Sequence, residues 1–183
     1  GYNLATPVQM MVLISAVANG GFLLKPQILD RIETADGRVV MKGQKQVKGK
    51  IPVSSKNLEI VRKGLWAVVN GKRGTARQIR HKEIEICGKT GTAQVVGRKK
   101  TESLKDFENI DHFKSHAWFV AYAPLKKPKI AVAVIVEHGE HGSSTAAPIA
   151  GELIKAYLLK SDGLKPAGKT ENKKIALDEN DRR

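Results

Sequence analysis

The chain is poor in cysteine, in aromatic residues and in long apolar runs, and each shortage excludes a class of protein. One cysteine in 183 residues rules out an internal disulfide, and no Cys/His spacing forms a zinc site. No apolar run reaches the roughly 20 residues of a membrane-spanning helix, and no charged and apolar leader opens the chain. Aromatic residues make up only 5%, and no motif of an RNA- or DNA-binding domain is present.

Positive charge is in excess, with 32 Lys and Arg against 18 Asp and Glu, which gives a net charge of +14. Such an excess indicates anionic partners. Nucleic acid is one candidate, but the basic residues are scattered rather than gathered on one helix face. A membrane-apposed enzyme that handles anionic lipid-linked substrates fits the same charge. Charge alone therefore leaves both classes open.

The segment Lys89–Thr92 (K-T-G-T) places a cation, two hydroxyl groups and an open backbone on four consecutive residues, which favours an anionic ligand. One motif with this ending is the phosphate-binding P-loop, which requires a glycine at position 83 and a helix after the lysine. Position 83 is Glu83, and the residues that follow the glycine are β-branched and typical of a strand. The sequence therefore argues against a P-loop.

The other motif is the Lys-Thr-Gly strand of serine acyltransferases that react with penicillin, the last of the set S-x-x-K, S-x-[ND] and K-T-G. In an extended strand Lys89 and Gly91 share one face. Thr90 and Thr92 share the other face. The glycine lets a ligand backbone approach closely, as a strand added to a sheet edge requires. A chance K-T-G in an ordinary strand is the alternative, because the tripeptide is common.

Four segments, in this order and at these spacings, resemble the C-terminal part of a class B penicillin-binding protein transpeptidase domain: Gly1–Met10, Ala18–Gly21, Lys89–Val96 and His116–Pro124. The resemblance covers roughly residues 1 to 159. Within the class, the Gln-Val-Val end of the third segment and the His-Ala-Trp-Phe start of the fourth are most similar to penicillin-binding protein 2, the cell-elongation transpeptidase.

The nucleophile motif of this family, S-x-x-K, is missing, because no serine in the chain is followed three residues later by lysine. The tripeptide Ser55-Lys56-Asn57 satisfies S-x-N, but it opens an apolar-periodic helix and is better interpreted as an N-cap. We therefore expect the chain to be a fragment, with the catalytic S-x-x-K and S-x-N residues upstream. The fragment alone should be inactive.

The resemblance implies a serine-type D,D-transpeptidase that cross-links peptidoglycan through an acyl-enzyme on D-Ala-D-Ala stem peptides. It implies that Lys89 sets the positive potential and that the hydroxyl groups of Thr90 and Thr92 bind the substrate carboxylate. The backbone N–H of Thr92 is then one oxyanion donor. Gly91 provides clearance for the ligand. No cofactor and no metal are implied.

The same resemblance implies peptidoglycan stem peptides, a lipid-linked precursor and β-lactam antibiotics as ligands, and a membrane glycosyltransferase of the elongation machinery as a partner. It implies a location at the bacterial cytoplasmic (inner) membrane, with the catalytic domain on the periplasmic side, and no nucleic acid. Two alternatives stay open. One is a non-catalytic penicillin-recognising or scaffold module, which binds without a covalent adduct. The other is a basic nucleic-acid-binding domain, whose binding weakens steeply with salt.

Hydrophobic periodicity and turn residues predict an α/β fold of the α+β type, with an antiparallel sheet covered by helices. The resemblance implies the penicillin-binding protein/β-lactamase-like transpeptidase fold, incomplete in this chain. Predicted helices begin at Thr6-Pro7, at Ser54 or Ser55 and at Ala146 or Ala147, and they end near Asn19, Val69 and Leu159. Besides the K-T-G strand, strands are predicted at 28–34, 38–42, 117–123 and 130–137, with Asp36-Gly37 as a hairpin turn.

The patterns also predict burial and loops. Ile130–Val136 is apolar at every position, which implies burial on both faces, and it is expected to be a central strand covered by helices. The residues expected to face inward are Leu58, Val61, Leu65 and Val68 in the second helix and Ile149, Leu153, Ala156 and Tyr157 in the third. Residues 42–50 and 97–115 are expected to be loops, the second either overhanging the cleft or mobile. Residues 1–160 are expected to form the transpeptidase portion and 161–183 a polar, disordered tail.

Two candidate reactive groups are expected to be structural. Cys87 is interpreted as a small apolar residue that packs near the K-T-G segment. His138 and His141 lie in a Gly-rich turn without the spacing of a known metal motif, which favours a solvated loop.

Overall fold

The computed structural model describes residues 4–95 and 113–160. The expectations for the loop at 97–112 and for the tail at 161–183 therefore lie outside the described residues. In chain order the elements are α1 (Pro7–Ala18), β1 (Phe22–Leu24), β2 (Arg31–Glu33), β3 (Val39–Lys42), β4 (Val47–Lys50), α2 (Ser55–Asn70), β5 (Cys87–Ala93), β6 (His116–Ala123), β7 (Ile130–Val136) and α3 (Ala147–Lys160). A 3-10 turn at Arg77–Ile79 precedes β5, and a π-type turn at Gly142–Ala146 leads into α3. Within the described ranges no helix is long and apolar enough to cross a membrane.

Helix α1 begins where its capping residues predict. The Thr6 hydroxyl accepts a hydrogen bond from the Gln9 N–H at 3.2 Å, and the Gln9 side chain accepts one from the Thr6 N–H at 2.8 Å. This reciprocal pair is a capping box, and Pro7 occupies the first helical position, where its missing N–H costs nothing. The helix ends at Ala18, before Gly20 with its positive φ of 88°. The sequence prediction of this helix is confirmed.

Helix α2 also has the predicted limits, and three of its four predicted inward-facing residues, Leu58, Leu65 and Val68, are buried or half-buried. Ser54 caps it by accepting a hydrogen bond from the Asn57 N–H at 3.2 Å. Val61, expected to face inward, is 47% exposed. The half-buried residue in this turn is Arg62, whose guanidinium donates to the Tyr122 hydroxyl at 3.2 Å. The apolar stem of an arginine can pack against a sheet while its charged end reaches a polar partner. A prediction that counts only apolar residues then places the neighbouring valine at that position instead.

The sheet that organises the core has the antiparallel order β5-β6-β7. Strand β6 lies in the middle and is buried at all but two positions. The prediction that Ile130–Val136 is the central strand is therefore wrong, because β7 is at the edge of this sheet and is mostly half-buried. The sequence of β7 is uniformly apolar because helices pack against both of its faces. Val132 and Val134 pack in the cluster that includes α3, and Ala131 and Ala133 pack in the cluster that includes α1.

Two short antiparallel ribbons precede α2. The hairpin of β2 and β3 is confirmed, with shorter strands than predicted and with Gly37 at a φ of 86° in its turn. The expectation that 42–50 is entirely a loop is wrong, because β4 pairs with β1. Strand β4 (Val47–Lys50) is exposed throughout and lacks an apolar alternation, so its sequence carries no strand signal. The pairing partner, 23 or more positions earlier in the chain, supplies the hydrogen bonds that make it a strand.

Helix α3 buries a different face from the one predicted. Ile149, Leu153 and Tyr157 were expected to face inward, yet they are 45%, 50% and 52% exposed, and Ala156 is exposed too. The side chains that pack against the sheet are smaller on average: Ala147, Ala150 and Ile154, with Leu158 partly buried. Alanines allow the helix axis to approach the sheet closely. Because α3 is apolar on both sides, periodicity alone could not identify the buried side.

Gly142, at the start of the π-type turn, lies directly on the backbones of β5 and β6. A Cβ added at Gly142 would lie 2.2 Å from the Trp118 carbonyl oxygen and 2.6 Å from the Gly91 carbonyl oxygen. Main-chain atoms within a sheet cannot move away cheaply. We expect Gly142→Ala to destabilise the intact protein by about 1–3 kcal/mol, as overpacking does, measured as a lower Tm in thermal unfolding.

Gly64→Ala is the matched control. Gly64 lies within α2, and a Cβ there would meet nothing within 4 Å. Helix propensity then predicts a stabilisation of up to about 1 kcal/mol. An unchanged Tm for Gly142→Ala would contradict the close packing of the turn against the sheet.

Candidate active site

The Lys-Thr-Gly-Thr segment lies within β5, at one edge of the three-stranded sheet. Lys89 and Thr92 are exposed, and Thr90 and Gly91 are half-buried. The segment is extended and does not open a helix, which confirms the strand interpretation and excludes the P-loop. The edge position leaves one side of this strand available to a ligand or to another part of the protein.

Lys89 folds its side chain around this free edge. Its ammonium group donates to the Thr90 carbonyl oxygen at 2.8 Å and lies 3.4 Å from the Thr90 hydroxyl oxygen. Although the two side chains leave the strand on opposite faces, the long lysine side chain brings its charge beside the hydroxyl. An ammonium group has three donors, so this arrangement leaves donor capacity for an anionic ligand.

The main chain of β5 directs alternate residues towards the free edge. In an antiparallel ladder, residues alternate between pairs that exchange hydrogen bonds and pairs whose N–H and C=O groups point outward. The Thr90 carbonyl accepts a hydrogen bond from the Lys89 ammonium, as a carbonyl that faces the free edge can do. For a ladder in which Thr90 faces outward, this alternation predicts that the N–H of Thr92, two residues further on, faces the same edge.

A cavity of about 520 Å³ adjoins Lys89. It lies between the side of α2 and the turn that leads to the 3-10 segment, and its lining residues are Gly64, Ala67, Val68, Gly71, Lys72, Arg73, Gly74, Thr75 and Lys89. The Thr75 hydroxyl lies 3.3 Å from the Thr90 hydroxyl. Thr75 could not be identified from the sequence, since a Gly-Thr-Ala turn 15 positions before Thr90 has no pattern that links the two side chains.

Gly91 is constrained by packing as well as by access. A Cβ at this position would lie 3.1 Å from the Trp118 Cβ, closer than ordinary side chains approach. A larger residue would therefore press on the neighbouring strand as well as on any ligand. The absence of a side chain at Gly91 cannot be attributed to ligand clearance alone.

Two other candidate groups from the sequence lie away from this site. Ser55 lines a separate cavity with Lys126 and Lys127, and the residue that caps α2 is its neighbour Ser54. His138 lies in the turn after β7, where its N–H donates to the His116 ring nitrogen Nδ1 at 2.9 Å. In the ranges that the structure describes, no group of three or more His, Cys, Asp or Glu side chains is placed to hold a metal ion.

Cys87 begins β5 on the face covered by α1 and is fully buried. Burial raises the pKa of its thiol to about 11, which favours the protonated form in the folded protein. This confirms its interpretation as a small packing residue. Burial likewise raises the pKa of the adjacent Tyr122 to about 12. Because the thiol pKa is higher in the folded protein than its ordinary value of 9.0, burial of the neutral thiol contributes its full stability below pH 9. That contribution is lost as the pH rises towards 11.

The family model of the penicillin-binding protein transpeptidase domain matches residues 1–155. The chain belongs to this family. It is 33% identical over 162 residues to peptidoglycan D,D-transpeptidase MrdA of Haemophilus influenzae, a match that covers 86% of this chain and 24% of that protein. It is 32% identical over 160 residues to MrdA of Escherichia coli K12, with the same two shares. The chain thus spans about a quarter of the length of the curated relatives it matches.

Comparison of the fold with solved structures identifies members of the same family. Pseudomonas aeruginosa PBP2 in complex with WCK 5153 is 34% identical, with a TM-score of 0.63 over 93% of this chain and 33% of that one. The imipenem acyl-enzyme of Mycobacterium tuberculosis penicillin-binding protein A is 26% identical, with a TM-score of 0.66 over 84% of this chain and 31% of that one. The predicted fold class, a helix-covered antiparallel sheet of the transpeptidase type, is confirmed, as is the similarity to penicillin-binding protein 2.

The burial of Cys87 predicts low reactivity. Because the thiolate is the reactive form, a thiol pKa of about 11 in place of 9.0 reduces its fraction about a hundredfold at pH 8. We expect iodoacetamide to modify Cys87 at least that much more slowly in the native intact protein than in denaturant, as measured by mass spectrometry of the peptide that contains it. A cysteine introduced at the exposed position Lys82 (Lys82→Cys) is the control and should react quickly in both states. Equal rates for Cys87 in both states would show that it is accessible.

Proposed function

We propose that the intact protein is a serine-type D,D-transpeptidase that cross-links peptidoglycan during cell elongation. Residues 1–160 would form the C-terminal portion of its transpeptidase domain and 161–183 a polar tail. The observation that carries the proposal is the contact of the Lys89 ammonium with the Thr90 hydroxyl on an exposed sheet edge beside a cavity. The family match and the MrdA relatives supply the reaction class.

In this reaction a serine hydroxyl attacks the carbonyl carbon of the D-Ala-D-Ala peptide bond and forms an ester, and D-Ala leaves with the serine proton on its amine. The amine of a neighbouring stem peptide then attacks the ester, forms the cross-link and releases the serine. No S-x-x-K serine exists in residues 1–183. The nucleophile and its base must therefore come from a part of the transpeptidase domain outside this chain.

This chain would supply the recognition of the terminal carboxylate. The Lys89 ammonium provides the positive charge, and charge-assisted hydrogen bonds are the strong ones. The hydroxyls of Thr90 and Thr92 would donate to the carboxylate oxygens. The Lys89 charge also polarises the neighbouring Thr90 hydroxyl, which lies 3.4 Å away.

The chain would also supply one half of an oxyanion hole. By the alternation of the antiparallel ladder, the Thr92 N–H would face the free edge of β5, where a ligand strand could lie. A single oxyanion donor contributes on the order of a hundred- to a thousandfold in rate. The second donor would come from outside this chain, as the nucleophile does.

The proposed ligands are peptidoglycan stem peptides with their lipid-linked precursor, and β-lactam antibiotics that mimic the stem peptide. A membrane glycosyltransferase of the elongation machinery is the proposed partner, and the bacterial cytoplasmic membrane, with the catalytic domain on its periplasmic side, is the proposed location. A Helicobacter pylori PBP2 that is 33% identical, with a TM-score of 0.60 over 88% of this chain, has been solved in complex with MreC. That complex supports the proposal that the intact protein also acts as part of a larger protein assembly.

Two alternatives are disfavoured by the comparisons. The family match favours a transpeptidase over a basic nucleic-acid-binding domain. The acyl-enzyme complexes of the Mycobacterium tuberculosis relative favour covalent chemistry over a module that only recognises penicillin. A scaffold module would bind penicillin reversibly, without a covalent adduct.

The test of this proposal is acylation of the intact protein by a fluorescent penicillin. We expect Lys89→Ala to slow acylation by about 10- to 150-fold, because a hydrogen bond to a charged group contributes about 1.5–3 kcal/mol. Lys82→Ala is the control, since it removes the same charge from an exposed position that does not line the cavity, and it should acylate normally. Normal acylation of Lys89→Ala would remove Lys89 from the site.

Gly91→Val should abolish acylation, because its side chain would obstruct the ligand strand. Since a Cβ there also meets the Trp118 Cβ at 3.1 Å, the variant needs a folding control. Retained Tm and near-UV circular dichroism together with lost acylation would support ligand clearance. Normal acylation by the valine variant would refute it.

A further inference from the structure

We propose that Thr75 is a positioning residue that orients the Thr90 hydroxyl towards the carboxylate of the ligand. This inference rests on the proposed function and assigns a role to a residue outside the Lys-Thr-Gly-Thr segment. Thr75 would not contact the reacting atoms. It would act through Thr90, at the rim of the cavity that both Thr75 and Lys89 line.

The Thr90 hydroxyl has two neighbours in the described part of the chain. The Lys89 ammonium lies 3.4 Å from its oxygen and the Thr75 hydroxyl 3.3 Å from it. The three groups thus form a short series of polar contacts from the turn before the 3-10 segment to the edge of β5. Both distances lie at the long end of hydrogen bonding, as expected of a site whose contacts tighten only when ligand binds.

Donor and acceptor counts set the direction of these bonds. An ammonium can only donate, and a hydroxyl oxygen can accept two hydrogen bonds and donate one. With Lys89 donating to Thr90, a second donation from Thr75 fills both acceptor positions of the Thr90 oxygen. The Thr90 hydrogen is then left for a third group. An ionised carboxylate carries no proton and can only accept, so a bound ligand selects this direction.

The opposite direction of the hydrogen bond between Thr75 and Thr90 would weaken binding of the ligand carboxylate. If Thr90 donated to Thr75, its only hydrogen would be used within the protein. The ligand carboxylate would then face the lone pairs of Thr90. A donation from Thr75 to Thr90 therefore favours the arrangement in which the Thr90 hydrogen points towards the ligand.

The turn that carries Thr75 is fixed to the end of α2. The Ala76 N–H donates to the Val68 carbonyl at 3.0 Å, and Ala76 is fully buried. Gly74 lies so close to α2 that a Cβ there would be 2.3 Å from the same carbonyl oxygen. A guanidinium contact from Arg77 to the Lys72 carbonyl at 2.8 Å closes the turn. These contacts hold the Thr75 hydroxyl at a defined place beside β5.

The test compares acid and ester forms of one ligand. A fluorescent penicillin and its carboxyl methyl ester react at the same carbonyl, but only the acid presents a carboxylate to Thr90. Second-order acylation rate constants of both are measured for the intact wild-type protein, for Thr75→Val and for Thr75→Ser. Valine has nearly the shape of threonine without the hydroxyl, and serine keeps the hydroxyl.

We expect Thr75→Val to acylate about 3- to 10-fold more slowly with the acid, in keeping with the loss of one neutral hydrogen bond, while its rate with the ester stays near wild type. The preference for acid over ester falls by the same factor. Thr75→Ser should retain the wild-type preference within about twofold. Because Thr75 is exposed, both variants are expected to keep the wild-type Tm.

The outcomes that overturn the inference are distinct from failure of the proposed function. An unchanged acid-to-ester ratio in Thr75→Val, or an equal loss with both ligands, would reduce Thr75 to a structural residue. A wild-type protein that forms no adduct with the acid would instead refute the transpeptidase proposal, and with it the role of Thr75.

Discussion

The one-sided pairing of β5 is the constraint on which the candidate site depends. Strand β5 pairs only with β6 in the described sheet, so the main chain of alternate residues points into open space. That same edge allows the Lys89 side chain to pass around the strand and place its charge on Thr90. A strand on the other side would occupy these groups and separate the ammonium from the hydroxyl. The position of the strand thus brings a cation and a hydroxyl group together at an accessible edge.

The surroundings of β5 hold this edge in place without covering it. On one face, the π-type turn lies on the backbone at Gly91 and Trp118, with Gly142 leaving no room for a side chain. Beside Lys89, residues of α2 and of the turn around Thr75 line the cavity. Close packing therefore holds the proposed recognition groups of β5 in place, while the cavity remains open beside Lys89. Such preorganisation is what a charged ligand requires of its binding groups.

The sequence was most informative where the signal is local. Capping at Thr6 and Ser54, the Asp-Gly turn at Gly37 and the extended K-T-G-T segment each depend on a few neighbouring positions, and each prediction is confirmed. It failed where burial depends on distant partners. The helix α3 is apolar on two sides, and the strand β7 has the predicted helix cover on both faces but lies at the edge of the sheet instead of its middle. Periodicity reports that a face is apolar, and it does not report which neighbour will cover it.

The sequence by itself determined the family, the strand that carries the Lys-Thr-Gly-Thr segment and the limits of the helices, because these depend on residue types at short spacing. Only the tertiary structure decided that β6 rather than β7 is central, that Ala147 and Ala150 rather than Ile149 face the sheet, and that Thr75 lies beside Thr90. The physical reason is that these are contacts between segments far apart in the chain. They are settled by how closely backbones can approach and by which polar groups find partners when the whole core packs.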